Sequence, residues 1–272
     1  MPTPKLNRYL GRRRDYHDPR DYIWRAGSHL MLGQVAPTSV DVCAGLAMPP
    51  AYEQGDLGSC TANAGARFRR WLGLKFPQYS PPDCELSRLF LYYQERKLDN
   101  DTADDSGSGS REIFQVLKSI GVCPETDDPY SVVSFADPSL NDSAKDIQDA
   151  AAWKIGAYHR LVTPGDLKAC LLSGYAFTLG FTVYSSFEDI GGDGIWSPDP
   201  ASEEILGGHE VFGRGFDDSV NGGSFLIDNS WGPTWGLNGS FWMPYAFLEN
   251  YAASQFDSWT GHMGPPWTPK AS

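Results

Sequence analysis

Residues 52–62 read YEQGDLGSCTA, a stretch that places a cysteine directly after a glycine-containing loop. Apolar residues at mostly helical spacing follow it, so the sequence predicts a helix from about Ser59 to Lys75, with Ser59 as its cap. A helix N-terminus carries partial positive charge, which favours a thiolate at Cys60. An isolated cysteine in this position is more often a buried structural residue. Gln54 favours a catalytic role for Cys60 over a structural one, because its amide could donate to an oxyanion beside the Cys60 N–H group.

A histidine preceded by two glycines is the candidate base. His209 follows Gly207 and Gly208, which suit a close approach to another chain segment, and it leads a predicted strand. A lone histidine there is more often structural than catalytic. The other four histidines are less suitable: two lie in the N-terminal segment, one in the tail, and His159 in a predicted strand with no obvious partner.

The third segment is a predicted buried strand that leads into Asn229-Ser230-Trp231-Gly232. An asparagine that accepts from an imidazole fixes the tautomer and orientation of the ring. Trp231 can cover that hydrogen bond and exclude water. Taken alone the segment is a turn with a core tryptophan, but together with Cys60 and His209 it indicates nucleophilic catalysis by a cysteine.

The combination of Gln54, Gly58-Ser59-Cys60, Gly208-His209 and Asn229-Ser230-Trp231-Gly232 resembles the papain-like cysteine peptidases. The order Cys, His, Asn agrees with that family, and the histidine lies 149 positions after the cysteine, within the family's range of about 130–150. Residues 105–130 are similar to bacterial members. The resemblance covers roughly residues 38–250.

The resemblance implies an α+β fold with a helical left domain, an antiparallel β-barrel right domain and an active-site cleft between them. Gln54 would be the oxyanion donor and Cys60 the nucleophile. His209 would be the general acid/base, oriented by Asn229. The expected activity is hydrolysis of peptide bonds through a thioester acyl-enzyme, with a peptide or protein as substrate and without a metal or cofactor.

The same resemblance implies a set of substrate-binding residues: Gly107, Ser108, Gly109, Gly208, Glu210 and Trp231. Glu210 stands where the family usually has a small residue, beside the pocket for the second residue before the scissile bond. A carboxylate there would select a basic side chain, or would pair with a basic residue of the N-terminal segment.

The chain divides into four predicted parts. Residues 1–37 are an extended arm, 38–135 a helical subdomain with the nucleophile, 136–262 a β-rich subdomain with the histidine and asparagine, and 263–272 a flexible tail. Further helices are predicted at Ser87–Leu98, Arg111–Ile120 and Pro164–Ser173. Helices first and strands afterwards are typical of an α+β protein.

Charge is unevenly distributed along the chain. Residues 1–25 carry a net charge of +4 and the remainder −16, for a total of −12. The arm could dock on its own acidic body, remain solvated, or bind an external anion. An acidic body repels phosphate, so nucleic acid is not expected as a partner. Zymogens of the papain-like family block their cleft with an N-terminal segment, so we expect this arm to be a short inhibitory prosegment.

The five cysteines form no CxxC pair and no zinc-ligand pattern. Their odd number, without a signal peptide, favours free thiols; two bridges and one thiol remain the alternative for an exported chain. No apolar run approaches the ~20 residues of a membrane helix, and the sequence begins without a Sec signal. We therefore expect a monomer without membrane contact, either cytoplasmic or exported by a non-Sec route.

Other functions fit part of this pattern. A catalytically silent papain-like binding module would not need all four catalytic positions, which are intact here. Transglutaminase-like chemistry shares the Cys–His core, but the Asn-Ser-Trp-Gly segment favours a peptidase. A peptide ligase or acyl-transferase on the same scaffold remains open.

Overall fold

The computed structural model describes residues 10–25 and 36–264 and confirms the α+β class. Its helices are α1 Cys60–Lys75, α2 Arg88–Leu98, α3 Ser110–Ser119, α4 Pro138–Asn141, α5 Ala144–Ala150, α6 Pro164–Leu172, α7 Tyr245–Glu249 and α8 Tyr251–Ser254. Its strands are β1 Arg12–Arg13, β2 Ser39–Asp41, β3 Ser108–Gly109, β4 Ala157–Leu161, β5 Phe177–Tyr184, β6 Ile205–Asp217, β7 Ser224–Asp228, β8 Ser240–Pro244 and β9 Asp257–His262.

The four predicted helices are confirmed, each to within one residue at both ends. The cap expected from Ser59 is wrong in its detail. Its side chain makes no capping bond; instead Ser59 Oγ lies 2.6 Å from Tyr130 Oη and accepts from Asn63 Nδ2. The Ser87 side chain does cap α2, by accepting from the Phe90 amide, which satisfies one of the unpaired N–H groups of a helix start.

The main sheet runs in the order β4-β9-β5-β6-β7-β8, and β2 also pairs with β6. All of its pairings are antiparallel. The expected antiparallel β-barrel needs one correction: in the part of the chain described, the sheet is open and does not close into a barrel. Each outer strand has another neighbour, because Ile23 bridges to Arg160 on β4 and Ile195 bridges to Trp242 on β8.

Helix α1 lies against this sheet at the centre of the molecule. Phe68 and Trp71 on α1 contact the ring of Phe212 on β6, and Phe68 also contacts Phe114 on α3. Full burial of one such side chain contributes roughly 1.5–3 kcal/mol. Helix α1, which begins at Cys60, and the sheet therefore share one core, which fixes their relative position.

The predicted subdomain boundaries stay a prediction. Strand β2 belongs to the predicted helical part, yet it pairs with β6 of the β-rich part. The tail from residue 265 onward lies outside the described residues, as do 1–9 and 26–35 of the arm. Among the helices described, none is long and apolar enough to cross a membrane.

Residues 10–25 of the arm lie on the body at two places. Arg12 and Arg13 form β1, which pairs in parallel with β3. Further along, the Trp24 amide donates to the Arg160 carbonyl and the Arg160 amide donates to the Tyr22 carbonyl, both at 2.8 Å. These bonds extend the sheet beyond β4 by a short stretch of arm.

Candidate active site

Cys60 is the first residue of α1 and is fully buried. Burial raises the pKa of its thiol to about 12, although hydrogen bonds from backbone N–H groups, first that of Glu210 and then that of Gly11, work in the opposite direction. The thiol is therefore protonated at neutral pH in this arrangement. It lies between the residue that follows His209 and a residue of the N-terminal arm.

His209 and Asn229 are brought together by neighbouring strands. Nε2 of His209 lies 2.7 Å from Oδ1 of Asn229, and the same oxygen accepts from the Ser230 amide at 2.8 Å. Because an amide oxygen only accepts, the ring atom that faces it carries the proton. The predicted position of His209 at the start of a strand is wrong: it lies in the interior of β6, where pairing with β5 extends the strand through Gly207 and Gly208.

Aromatic side chains enclose the histidine. The Trp231 ring lies 5.1 Å from the His209 ring and 5.0 Å from Phe187, which in turn contacts Trp235. Trp231 and Trp235 are both buried. This cluster lowers the local dielectric and strengthens the His209–Asn229 hydrogen bond.

Gln54 is held beside this segment by its backbone and its side chain. Its amide N–H donates to the Ser230 carbonyl at 2.9 Å, and its Oε1 accepts from Ser230 Oγ at 2.7 Å. Its Nε2 donates to the Leu57 carbonyl. Tyr130 Oη donates to the Gln54 carbonyl at 2.8 Å. Ser230 and Tyr130 thus position Gln54, roles that their sequence context did not reveal.

Four of the predicted substrate-binding residues, Gly107, Ser108, Gly109 and Gly208, face the arm. The Ser108 amide donates to the Gly11 carbonyl at 2.9 Å, and Gly109 pairs with Arg13. A Cβ on Gly208 would collide with the Arg12 backbone, and a Cβ on Gly107 would collide with Gly11. These glycines therefore allow the arm to pass close to Cys60.

Gly11 is the narrowest point of that passage. A Cβ added to it would lie closer than 3.0 Å to the backbone of Gly58, two residues before Cys60. A clash with backbone atoms cannot be relieved by rotating a side chain. Only glycine fits at this position of the arm.

Glu210, the remaining predicted substrate-binding residue, is fully buried and accepts from Ser110 Oγ at 2.5 Å. Burial raises the pKa of Glu210 to about 8, against the opposing effects of the Ser110 hydrogen bond and of Arg12. Its carboxyl group lies near Arg12 of the arm. The Arg12 guanidinium, however, donates to Asp257 and to the Gln255 carbonyl, so the expected pairing of Glu210 with a basic residue of the arm stays a prediction, as does the selection of a basic substrate side chain.

The arm also meets an aspartate that the sequence did not indicate. Arg12 Nη2 donates to Asp257 Oδ2, while Asp257 Oδ1 accepts from Arg160 Nη2 at 2.6 Å. The amide of Asp15 donates to Asp257 as well. Asp257 starts a strand 245 residues away from Arg12, and its sequence context carries no signal of this contact.

A buried ionic cluster precedes Asn229. Arg67 Nε on α1 donates to Asp228 Oδ2 at 2.8 Å, and Asp228 Oδ1 accepts from Ser240 Oγ at 2.7 Å. Arg214 reaches the same carboxylate at 3.3 Å. The cluster links α1 with the end of β7, so it fixes the distance between the helix of Cys60 and the segment of Asn229.

All five cysteines lie in the described residues and are free, as the odd number suggested. Among those residues there is no group of three or more His, Cys, Asp or Glu side chains that could hold a metal ion. His159, which had no obvious partner in the sequence, stacks on His262 at 5.4 Å between ring centroids.

Comparison with known proteins places this site in a family. The family described as papain family cysteine protease matches residues 36–247. An uncharacterised peptidase C1-like protein of Acanthamoeba polyphaga mimivirus is 36% identical over 214 residues, which cover 74% of this chain and 67% of that protein.

The search of solved structures also finds a cysteine protease, as the sequence relatives would lead one to expect. Xylellain, a cysteine protease from Xylella fastidiosa, has a TM-score of 0.84 at 31% identity, covering 97% of this chain and 100% of its own. Procathepsin B S9 from Trypanosoma congolense has a TM-score of 0.72 at 16% identity, over 97% of this chain and 88% of its own, which shows the common fold. The chain belongs to the papain family of cysteine proteases, hydrolases that cleave peptide bonds.

Proposed function

We propose that the chain is an endopeptidase in which Cys60, His209 and Asn229 form the catalytic triad, and that residues 10–13 hold it in a latent state. The hydrogen bond of 2.7 Å between His209 and Asn229, next to a residue whose N–H reaches the Cys60 sulfur, carries this proposal. It is the arrangement that a thiol nucleophile needs for activation by an imidazole.

The chemistry begins when the Cys60 proton moves to the His209 ring. Asn229 holds Nε2–H, so Nδ1 is the ring atom that takes the proton. The thiolate attacks the substrate carbonyl carbon, and the Cys60 N–H and the Gln54 amide stabilise the oxyanion. For the second of these, Gln54 Nε2 exchanges its bond to Leu57 for one to the oxyanion.

The intermediate then collapses with cleavage of the C–N bond. The imidazolium of His209 gives its proton to the leaving amine, and the acyl group stays on Cys60 as a thioester. A water molecule, deprotonated by the neutral imidazole, attacks the thioester and releases the carboxylic acid. The proton returns to the sulfur, and no cofactor takes part.

The proposed latency has a structural reason: the arm places an N–H group, and not a carbonyl carbon, next to the Cys60 sulfur. Gly11 directs its N–H group at the sulfur, whereas attack requires a carbonyl carbon. The Gly11 carbonyl is held by Ser108 instead. The arm therefore fills the cleft without offering a bond to cleave. The proform state of the similar procathepsin B S9 agrees with a prosegment role.

Hydrolysis of fluorescently labelled casein by full-length variants tests this function. Gly11→Val should be active under reducing conditions, because its side chain cannot fit beside Gly58 and the arm is displaced. Adding Cys60→Ala or His209→Ala to Gly11→Val should abolish hydrolysis while the thermal midpoint stays that of Gly11→Val. Equal hydrolysis by the Cys60→Ala double variant would contradict the triad.

A further inference from the structure

Asp105 and Tyr92 form a chain of hydrogen bonds that connects the loop before Cys60 to the start of β3. The Gly58 amide donates to the Asp105 carboxylate, whose two oxygens both lie 3.0 Å from it. The Tyr92 hydroxyl donates to Asp105 Oδ1 and accepts from the Gly107 amide at 3.0 Å. These two side chains, here called the clamp, therefore join the residue two positions before Cys60 to the residue directly before β3.

The phenol of Tyr92 is a dependable donor in this clamp. Tyr92 is fully buried, and burial, followed by its hydrogen bond to Asp105, raises the pKa of its hydroxyl. The hydroxyl therefore keeps its proton at neutral pH. Hydrogen bonds to an ionised acceptor are stronger than those between neutral groups, so the phenol fixes the direction of the carboxylate.

Arg96 on α2 holds both members of the clamp in place. Its guanidinium carbon lies 4.1 Å from the centroid of the Tyr92 ring, which is a cation–π contact. Its Nη1 donates to the Thr102 carbonyl at 2.9 Å and to the Asp104 carbonyl at 2.8 Å, and thereby fixes the loop that leads into Asp105. Arg96 is itself fully buried. The clamp is thus preorganised by a side chain that cannot move aside without opening the core.

The two ends of the clamp carry groups that must act together on a substrate. At one end, the Ser108 amide donates to the Gly11 carbonyl at 2.9 Å, a bond that a substrate carbonyl takes over in the proposed function. At the other end, Gly58 leads through one residue to Cys60. Attack requires a substrate bound at Ser108 to present its carbonyl carbon to the sulfur, and a displacement of about 1 Å costs on the order of 10²-fold in rate.

We propose that Asp105 is a positioning residue for peptide hydrolysis. Acting through Tyr92, it holds the Ser108 amide at a fixed distance from Cys60, so that a substrate bound by this amide presents its scissile carbonyl to the sulfur. The proposal rests on the proposed peptidase function and adds to that site two side chains that take no part in making or breaking bonds.

The first test compares two reactions of Cys60 in the full-length Gly11→Val background. Asp105→Ala removes both acceptor oxygens of the clamp, so kcat/KM for a fluorogenic peptide amide should fall by about 10-fold to 100-fold. The rate of alkylation of Cys60 by iodoacetamide should stay nearly the same, because this reagent does not need the Ser108 amide. A residue that only supports the fold would change both rates or neither.

Two further variants serve as controls. Asp105→Asn keeps one side-chain oxygen, and because Asp105 Oδ1 accepts from both Gly58 and Tyr92, it should restore most of the peptide hydrolysis. Asp104→Ala removes an exposed carboxylate next in sequence and keeps the carbonyl that Arg96 binds, so kcat/KM should not change. Equal loss of hydrolysis and alkylation in Asp105→Ala, or loss of neither, would overturn the proposal and leave the peptidase function standing.

Amide hydrogen exchange tests the clamp without any catalysis. In the wild-type chain with isotope-labelled glycine, NMR follows the Gly58 and Gly107 amides separately. Tyr92→Phe should accelerate exchange at both by about 10-fold or more, as expected for lost hydrogen bonds to a charged group, although Gly58 bonds to Asp105 and not to the phenol. This result, without hydrolysis by the variant with the displaced arm, would refute the proposed function but support the clamp. Unchanged exchange at Gly58 would overturn the clamp.

Discussion

The carbonyl oxygen of Gly11 accepts a hydrogen bond of 2.9 Å from the Ser108 amide. This bond joins the arm to the segment expected to hold a substrate backbone, near Cys60. In the function that we propose, the arm thereby uses the hydrogen-bonding group that a substrate would use. Competition between arm and substrate for the Ser108 amide is the physical basis of the latency we propose.

The reactivity of Cys60 should depend on the arm. Because burial raises the pKa of the thiol to about 12, and only the thiolate reacts, alkylation of the wild-type chain by iodoacetamide should rise about 10-fold per pH unit from pH 7 to pH 10. In Gly11→Val the thiol is exposed, so the rate should be higher at pH 7 and should depend less on pH.

Mass spectrometry of the peptide that contains Cys60 distinguishes this site from the other four cysteines. Identical rates for wild type and Gly11→Val across the pH range would contradict a role of the arm in shielding the thiol.

Loss of Asn229 should weaken general acid–base catalysis. In the Gly11→Val background, Asn229→Ala frees the His209 ring to rotate and should lower kcat/KM on the order of 10²-fold. Exposed Asn250→Ala is the control and should change little. Steady-state kinetics with a fluorogenic peptide measures both; an unchanged kcat/KM in Asn229→Ala would argue against its orienting role.

Asp228 should be important for stability. Asp228→Ala leaves Arg67 buried without its partner, so the free energy of unfolding should fall by about 3–5 kcal/mol at pH 7. Exposed Asp189→Ala should have little effect. Urea denaturation followed by tryptophan fluorescence gives both values.

The contribution of Asp228 should also depend on pH. Burial acts to raise the pKa of Asp228, but Arg67 and Arg214 hold it below its usual value. The carboxylate therefore stabilises the fold above pH 3.8 and loses this effect as the pH falls below that value. A constant difference between wild type and Asp228→Ala down to pH 2 would contradict this.

Glu210 should have the opposite pH dependence. Burial raises its pKa from 4.5 to about 8, so the folded chain holds a proton that the unfolded chain releases. Stability due to the neutral carboxyl is complete below pH 4.5 and is lost as the pH rises toward 8. The stability of wild type relative to Glu210→Gln should fall over this range, by at most about 1.4 kcal/mol per pH unit. A difference that rises with pH would refute it.

The sequence predicted the helices and the triad because local patterns carry them. Helix α1 is defined by its apolar spacing, and Cys60, His209 and Asn229 each stand in a short segment with its own signal. The start of β6 was less predictable, since glycines disfavour strands and only pairing with β5 places Gly207 and Gly208 in one.

The contact of the arm with Asp257 could not be predicted from the sequence for a related reason. Asp257 meets Arg12 and the Asp15 amide only in the folded chain, and no neighbour in sequence indicates these contacts. Glu210 stood out only because the papain family usually has a small residue there. Contacts between residues 245 positions apart, such as Arg12 and Asp257, depend on the complete fold.

Labelling of Cys60 by an epoxysuccinyl inhibitor is the most direct test of the central claim, an arm-blocked cysteine peptidase. The chains to compare are full-length wild type, Gly11→Val and Arg20→Ala. The exposed Arg20 side chain pairs with Asp18 of the same arm. We predict labelling about 10-fold or more faster for Gly11→Val than for the other two, as expected if the arm competes with the inhibitor. Equal labelling rates for all three chains, or no labelling of Gly11→Val, would contradict the account.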